Sequence, residues 1–169
     1  PHRLCCACRP ITALAVGASH RAMTEPQRIF AMFTSIAIIE QLAGTMFAQQ
    51  LPRGMTRAQF GILNHFVRLE LADQSPAQLA ADFQVTRPTM TSTLARLEKA
   101  GLVSIRPHPT DGRGKLVSIT EAGRAMRAAC VEATAALAPT LKAIIKDDEI
   151  AAIEPLLAKL QQGLDNHRH

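Results

Sequence analysis

One β-hairpin pattern, in residues 102–120, constrains the fold of this chain more than any other feature. The stretch reads LVSIRPHPTDGRGKLVSIT, with VSI on both sides of a loop that contains two glycines. Apolar and polar residues alternate in both copies, which is the spacing of a strand with one buried face. Because the remaining segments have helical spacing, we expect a mainly α chain with strands only near 103–106 and 116–119.

Capping motifs indicate where the helices begin. Thr24, Thr56 and Ser75 each precede a glutamine by three residues. In this capping-box arrangement, side chains satisfy the free backbone groups of the first turn. Thr86 begins a further helix over 87–100, which ends at Gly101, a residue suited to the left-handed position after a helix.

Two helices are predicted after the hairpin and one long helix before the capped series. Thr120 caps a helix from 121 to about 145 that we expect to be interrupted or kinked near Pro139. Asp147 opens a last amphipathic helix. Residues 29–47 are apolar around so much of a helix that this segment needs partners on more than one side.

Residues 76–99 predict a helix, a tight turn and a second helix that begins TRPTMTSTLARLEKAGLV. Small hydroxyl residues and an arginine at a helix start can reach base edges and phosphates without bulk that would keep the helix out of the major groove. Leu94 and Leu97 are expected to point inward. The candidate DNA-binding residues are Thr86, Arg87, Thr89, Met90, Ser92, Thr93, Arg96, Asp111, Arg113 and Lys115.

A hairpin directly after such a unit is interpreted as a wing. Gly112 and Gly114 allow the tip to turn tightly and to lie close to a phosphate backbone. Arg113 between them can enter the minor groove, where narrow A·T tracts concentrate negative potential. Asp111 can pair with Arg113 or cap the turn, and Lys115 is a phosphate contact.

The charge distribution favours a nucleic-acid partner. The net charge is +5, and residues 84–127 contain eight Lys or Arg against three acidic residues. Residues 128–169 instead contain four basic residues against six acidic ones. Winged helices also serve as protein-interaction modules, and this alternative gives no reason for the basic excess.

The segment VTRPTMTSTLARLEKAGLVSIRPHPTDGRGKLVSITEAG resembles the core of the MarR family of winged helix-turn-helix transcriptional regulators. The likeness covers about residues 24–165. It implies a homodimer built from the first and the last two helices, and a ligand-responsive repressor that binds an inverted-repeat operator in double-stranded DNA. Thr91 and Thr93 stand where many members are more basic, and residues 1–22 match nothing in the family.

This reading divides the chain into four parts. Residues 1–22 are an N-terminal extension, 23–55 an N-terminal dimerisation helix, 56–120 the winged helix-turn-helix lobe, and 121–169 the C-terminal dimerisation helices. A secretory signal is the alternative for residues 1–22, but its apolar stretch is short, with arginines on both sides. We favour Met23 as the natural start.

Cysteine usage and hydropathy favour a cytoplasmic protein away from the membrane. Cys5, Cys6 and Cys8 are crowded together without a second ligand pair at zinc-like spacing, so we expect no metal site. No apolar run is expected to approach the length of a membrane span. A nucleophile, a base and an orienting group do not fall into a recognisable pattern, so neither an enzyme nor a cofactor is expected.

The sequence leaves the regulatory signal open. By the family resemblance, phenolic or carboxylate ligands bind between the dimer helices and the DNA-binding lobe, where His65 or Arg68 could meet a small aromatic anion. Solvent exposure is the favoured alternative for these two side chains. A redox sensor at Cys130 is a further alternative, although its alanine-rich surroundings suggest a small packed thiol.

Overall fold

The computed structural model describes residues 23–110, 112 and 114–167, and it confirms the predicted mainly α winged helix-turn-helix. The N-terminal extension predicted at 1–22 lies outside these residues. The elements in chain order are α1 (Glu25–Gln50), α2 (Arg57–Arg68), α3 (Pro76–Asp82), α4 (Arg87–Lys99), β1 (Val103–Pro107), β2 (Lys115–Ile119), α5 (Glu121–Thr134), a 3₁₀ turn (Ala135–Leu137), α6 (Ala138–Lys142) and α7 (Asp147–Asn166).

The capping motifs position the helices of the lobe as predicted. At the start of α2, the Thr56 hydroxyl accepts from the Gln59 N–H at 3.2 Å, and the Gln59 Oε1 accepts from the Thr56 N–H at 2.9 Å. Ser75 makes the same reciprocal pair at the start of α3. Gly101 follows α4 with φ +71°, the left-handed conformation that favours glycine.

The helix after the hairpin is broken where the sequence places a proline. Thr120 caps α5 by accepting from the Gly123 N–H at 3.0 Å. The α-helix stops at Thr134 and passes through the 3₁₀ turn before α6 begins. Pro139 lies in the first turn of α6, where its missing N–H costs no hydrogen bond.

The core of the lobe lies between α2, α3, α4 and the hairpin. Its buried members are Ile62, Leu63, Phe66, Leu79, Ala80, Met90, Leu94, Leu97, Leu102, Val103, Val117 and Ile119. The two strands pair antiparallel, with Val103 opposite Ile119. A strand-like contact not expected from the sequence joins them: Gln74 forms an isolated antiparallel bridge with Val117.

Contacts divide the chain into two units, one ending at Glu40 and the other running from Gln41, so each part of α1 is described by itself. In the second unit, the end of α1 is fixed to α2. The rings of Phe47 and Phe60 lie 4.9 Å apart, and the Arg57 guanidinium occupies the space that a Cβ on Gly44 would need.

The expectation that no segment reaches the length of a membrane span is wrong for α1. Its 26 residues are long and apolar enough to cross a membrane by length and composition. The reason is that its hydroxyls are largely masked: Thr34, Ser35 and Thr45 each donate to the carbonyl four residues earlier. A single apolar helix near the N-terminus is weak support for a membrane span, since core helices and signal sequences share these properties.

Candidate nucleic-acid interface

Helix α4 separates an apolar face from a polar one. Met90, Leu94 and Leu97 are buried in the core of the lobe, at the i, i+4, i+7 spacing of one helix face. The exposed residues predicted to contact DNA are Arg87, Thr89, Ser92 and Arg96, while Thr93 is half-buried. The helix therefore presents hydroxyls and guanidinium groups on the surface that the core leaves free.

Met90 is a correction to the predicted set. Its side chain is 2% exposed and packs in the hydrophobic core, so it does not reach a base edge from this position. Sequence reasoning placed it on the outer part because it comes early in the helix. Its spacing to Leu94 and Leu97 was the signal that assigns it to the core.

The threonines at the start of α4 are partly occupied by local hydrogen bonds. The Thr86 hydroxyl accepts from the Thr89 N–H at 3.3 Å and lies 2.8 Å from the Thr89 hydroxyl. The Thr93 hydroxyl donates to the Thr89 carbonyl at 3.0 Å. Because each hydroxyl has one proton and two lone pairs, Thr93 retains acceptor capacity only, which suits a base amino group or a water.

The wing is present, but its tip is only partly described. Lys115 is exposed at the start of β2, and the His108 N–H donates to the Gly114 carbonyl at 2.9 Å across the hairpin. Asp111 and Arg113, the two residues predicted to act at the tip, lie outside the described residues.

The recognition helix and the wing border one cleft of about 530 Å³. Arg87 and Glu98 line it from α4, and Pro76 lines it from the start of α3. Ile105 and Lys115 line it from the hairpin. Two of the predicted phosphate-binding cations, Arg87 and Lys115, therefore lie on a continuous surface.

The two candidate ligand residues differ in their surroundings. The His65 side chain is only 10% exposed, so the favoured alternative of solvent exposure is wrong for it. Its Nε2 lies 3.1 Å from the Gln74 Oε1 and 3.4 Å from the Asp82 carboxylate, and its ring packs against Phe83. Arg68 is exposed at the end of α2, as that alternative expects.

Cys130 is a packed thiol. Its side chain is fully buried in α5, and burial raises the pKa of this thiol above its usual range. Because the thiolate is the reactive form, both properties disfavour reaction with an oxidant. Cys5, Cys6 and Cys8 lie outside the described residues. Within the described part of the chain, no group of three or more His, Cys, Asp or Glu is placed to bind a metal.

A polar network beside the wing was missed by sequence reasoning. Asp73 pairs with Arg106 of β1, and Gln74 bonds to His65 and Asp82. The Asp73–Arg106 pair joins residues 33 positions apart, and no local spacing signals such a contact.

Known proteins resemble this chain in the same region. A model of the MarR family matches residues 53–114. An uncharacterised HTH-type transcriptional regulator of Mycobacterium bovis is 36% identical over 93 residues, which are 53% of this chain and 65% of that protein. The chain thus spans slightly less than two thirds of this curated relative.

Two solved structures of E. coli MarR extend the similarity beyond the lobe. The wild-type apo protein is 30% identical, with a TM-score of 0.66 over 75% of this chain and 93% of that one. A mutant MarR in complex with operator DNA is 28% identical, with a TM-score of 0.64 over 82% and 99%. The shared fold, the matched family model and these identities show that the chain belongs to the MarR family.

Proposed function

We propose that this protein is a transcriptional regulator that binds double-stranded DNA through α4 and the wing. The observation that carries the proposal is the division of α4, which buries Met90, Leu94 and Leu97 and exposes Arg87, Ser92 and Arg96. A recognition helix needs this arrangement, since its apolar face fixes it to the lobe while its polar face enters the major groove. The operator complex of the similar MarR supports the same use of the fold.

Each exposed residue has a role suited to its chemistry. Thr86, Thr89, Ser92 and Thr93 offer hydroxyls for base edges, and Arg87 and Arg96 offer guanidinium groups for guanine or phosphate. Lys115 serves as a phosphate contact, and Arg113, with Asp111 beside it, remains our candidate for the minor groove. Phosphate contacts position the protein, whereas base contacts determine the sequence that it selects.

We further propose that the protein acts as a homodimer. None of the 20 residues of α7, all of which the structure describes, is buried. Leu156 is 66% and Leu157 is 51% exposed on this helix, which is a large apolar area for a surface that stays in water. A two-fold dimer through residues 23–55 and 121–169 covers such a surface and presents two recognition helices to one operator.

Selection from a pool of random DNA duplexes tests the function. The parent protein should enrich an inverted repeat whose half-sites are about 10–10.5 base pairs apart, because two symmetric helices read one face of the duplex. Enrichment should fail for Arg87→Ala combined with Arg113→Ala. If the parent enriches no sequence, or if both proteins enrich the same one, the lobe is a protein-interaction module or uses another surface.

We also propose that a small aromatic anion relieves repression, with the exposed Arg68 as the cation that meets its carboxylate. His65 is a weaker candidate, because Gln74 and Asp82 already engage its ring. A ligand can shift DNA affinity only by the difference in its affinity for the two states of the dimer. Operator binding titrated with a panel of aromatic acids, in the parent and in Arg68→Ala, measures this coupling.

Two alternatives are separated by the same titration. A response to peroxide that Cys130→Ser abolishes, with no response to any acid, would replace the ligand model by a redox switch. The buried thiol argues against that outcome. We place the regulator in the cytoplasm, where its DNA would be, and propose no enzymatic activity.

A further inference from the structure

The connection between α2 and α3 contacts both strands of the wing. The Gln74 N–H donates to the Val117 carbonyl at 3.0 Å, and the Val117 N–H donates to the Gln74 carbonyl at 2.9 Å. Val117 belongs to β2 and is fully buried. On β1, the Arg106 guanidinium donates to the Asp73 carboxylate at 2.5 Å. Two adjacent residues thus attach to both strands of the hairpin.

The same connection is tied to the helix-turn-helix on its other side. The Gln74 Nε2 donates to the Asp82 carboxylate at 2.6 Å, at the end of α3. The Gln74 Oε1 lies 3.1 Å from the His65 Nε2, which donates when His65 carries its proton there. The ring of His65 in turn packs edge-on against Phe83, 5.2 Å between centroids. Gln74 therefore links the wing to both α2 and α3.

A two-stranded hairpin needs such attachments. Isolated hairpins are marginally stable in water, so the orientation of this wing depends on what it packs and bonds against. Side chains that contact a ligand work only when neighbouring groups fix their geometry closely. The Asp73–Arg106 pair is partly exposed, at 33% and 47% of the two side chains, so its contribution to global stability is small. Its effect on the direction of the wing can still be large.

We propose that Asp73 and Gln74 form a wing latch, which positions the wing for DNA without contacting DNA itself. This inference rests on the proposed function, since the latch matters only if the wing binds DNA. The latch acts through Arg106 on β1 and Val117 on β2, and its anchors in the lobe are His65 and Asp82. Asp73 and Gln74 are positioning residues.

Asp73→Asn tests the latch because two explanations predict opposite signs. Removal of an acidic residue near a DNA-binding surface should strengthen binding if only charge matters. Loss of the ion pair should weaken it, by about two- to fivefold, the range of an exposed pair. The probe is the duplex that the parent selects from a random pool. Glu70→Gln is the matched control, since it removes the same charge from an exposed residue of the same connection.

A double-variant cycle assigns the effect to the wing. The loss caused by Asp73→Asn should disappear in an Arg113→Ala background and persist in an Arg87→Ala background, because coupled residues are non-additive and independent ones are additive. Asp73→Glu, which keeps the carboxylate, should retain at least half of the parent affinity. Thermal unfolding of each variant controls for a loss of fold.

The outcomes separate the latch from the function. If Asp73→Asn is folded and binds as tightly as the parent or more tightly, while Arg113→Ala still weakens binding, the latch is wrong and the DNA-binding function stands. If the loss is equal in both backgrounds, Asp73 acts on the whole lobe and the latch is again wrong. If the parent binds no duplex, the proposed function fails and the latch fails with it.

Discussion

Met90 and Arg87 are three residues apart in α4, yet one side chain is buried and the other exposed. Met90→Ala should lower the free energy of unfolding by about 2–5 kcal/mol, because it leaves a cavity in the core. Met90→Leu nearly conserves volume and should cost less than about 1.5 kcal/mol. Denaturant unfolding measures both values.

DNA selection by Met90→Leu provides the control for that prediction. A core residue can be exchanged for another of its size without changing which bases the protein prefers. A stable Met90→Leu variant with an altered base preference would show that Met90 reaches the DNA after all.

Cys130 should make stability depend on pH in the alkaline range. Burial raises the pKa of its thiol, so the folded chain keeps the proton after the unfolded chain has lost it. This contribution to stability is complete below the unfolded value of about 8.5 and is lost as pH rises through the folded pKa. The stability of the parent should therefore fall more steeply above about pH 8.5 than that of Cys130→Ala. Parallel unfolding curves at all pH values would contradict the assignment.

At the scale of elements, Gly123 sets how closely α5 approaches the hairpin. A Cβ at this position would collide with the Leu102 carbonyl and with the Ile119 side chain. Alanine normally stabilises a helix relative to glycine by about 0.5–1 kcal/mol. Gly123→Ala should instead destabilise the fold by about 1–3 kcal/mol, as overpacking does.

Ala125 provides a matched comparison in the same helix. It is exposed, so Ala125→Gly should cost only the propensity difference of about 0.5–1 kcal/mol. The preference between alanine and glycine is thus expected to reverse two residues apart. If Gly123→Ala raises the unfolding midpoint, α5 does not pack against the hairpin as described.

The sequence predicted the elements whose signals are local. Capping residues such as Thr56 and Ser75 placed helix starts, Gly101 placed a helix end, and period-two spacing placed both strands within one residue of their observed bounds. The bridge from Gln74 to Val117 could not be predicted in this way, because it joins positions far apart in the chain. The masking of hydroxyls along α1 was also missed, since composition alone does not show hydrogen bonds.

At the scale of the whole molecule, α7 offers the clearest test of the homodimer. Leu156→Glu should convert the dimer to a monomer, because it places a charge in the apolar surface that the partner is proposed to cover. Gln162→Glu adds the same charge on the opposite face of the helix and should leave the dimer intact. Sedimentation at micromolar concentration distinguishes the two states, and a monomeric parent would contradict the proposal.

The central claim is that the exposed face of α4 reads DNA sequence, and a ratio of two affinities tests it most directly. The ratio compares the selected duplex with a scrambled duplex of equal length at one salt concentration. We predict that Ser92→Ala and Arg87→Ala lower this ratio for each lost base contact by about 1–3 kcal/mol, whereas Lys115→Ala weakens both affinities equally. A parent ratio near one, or a ratio that no α4 variant changes, would contradict the account.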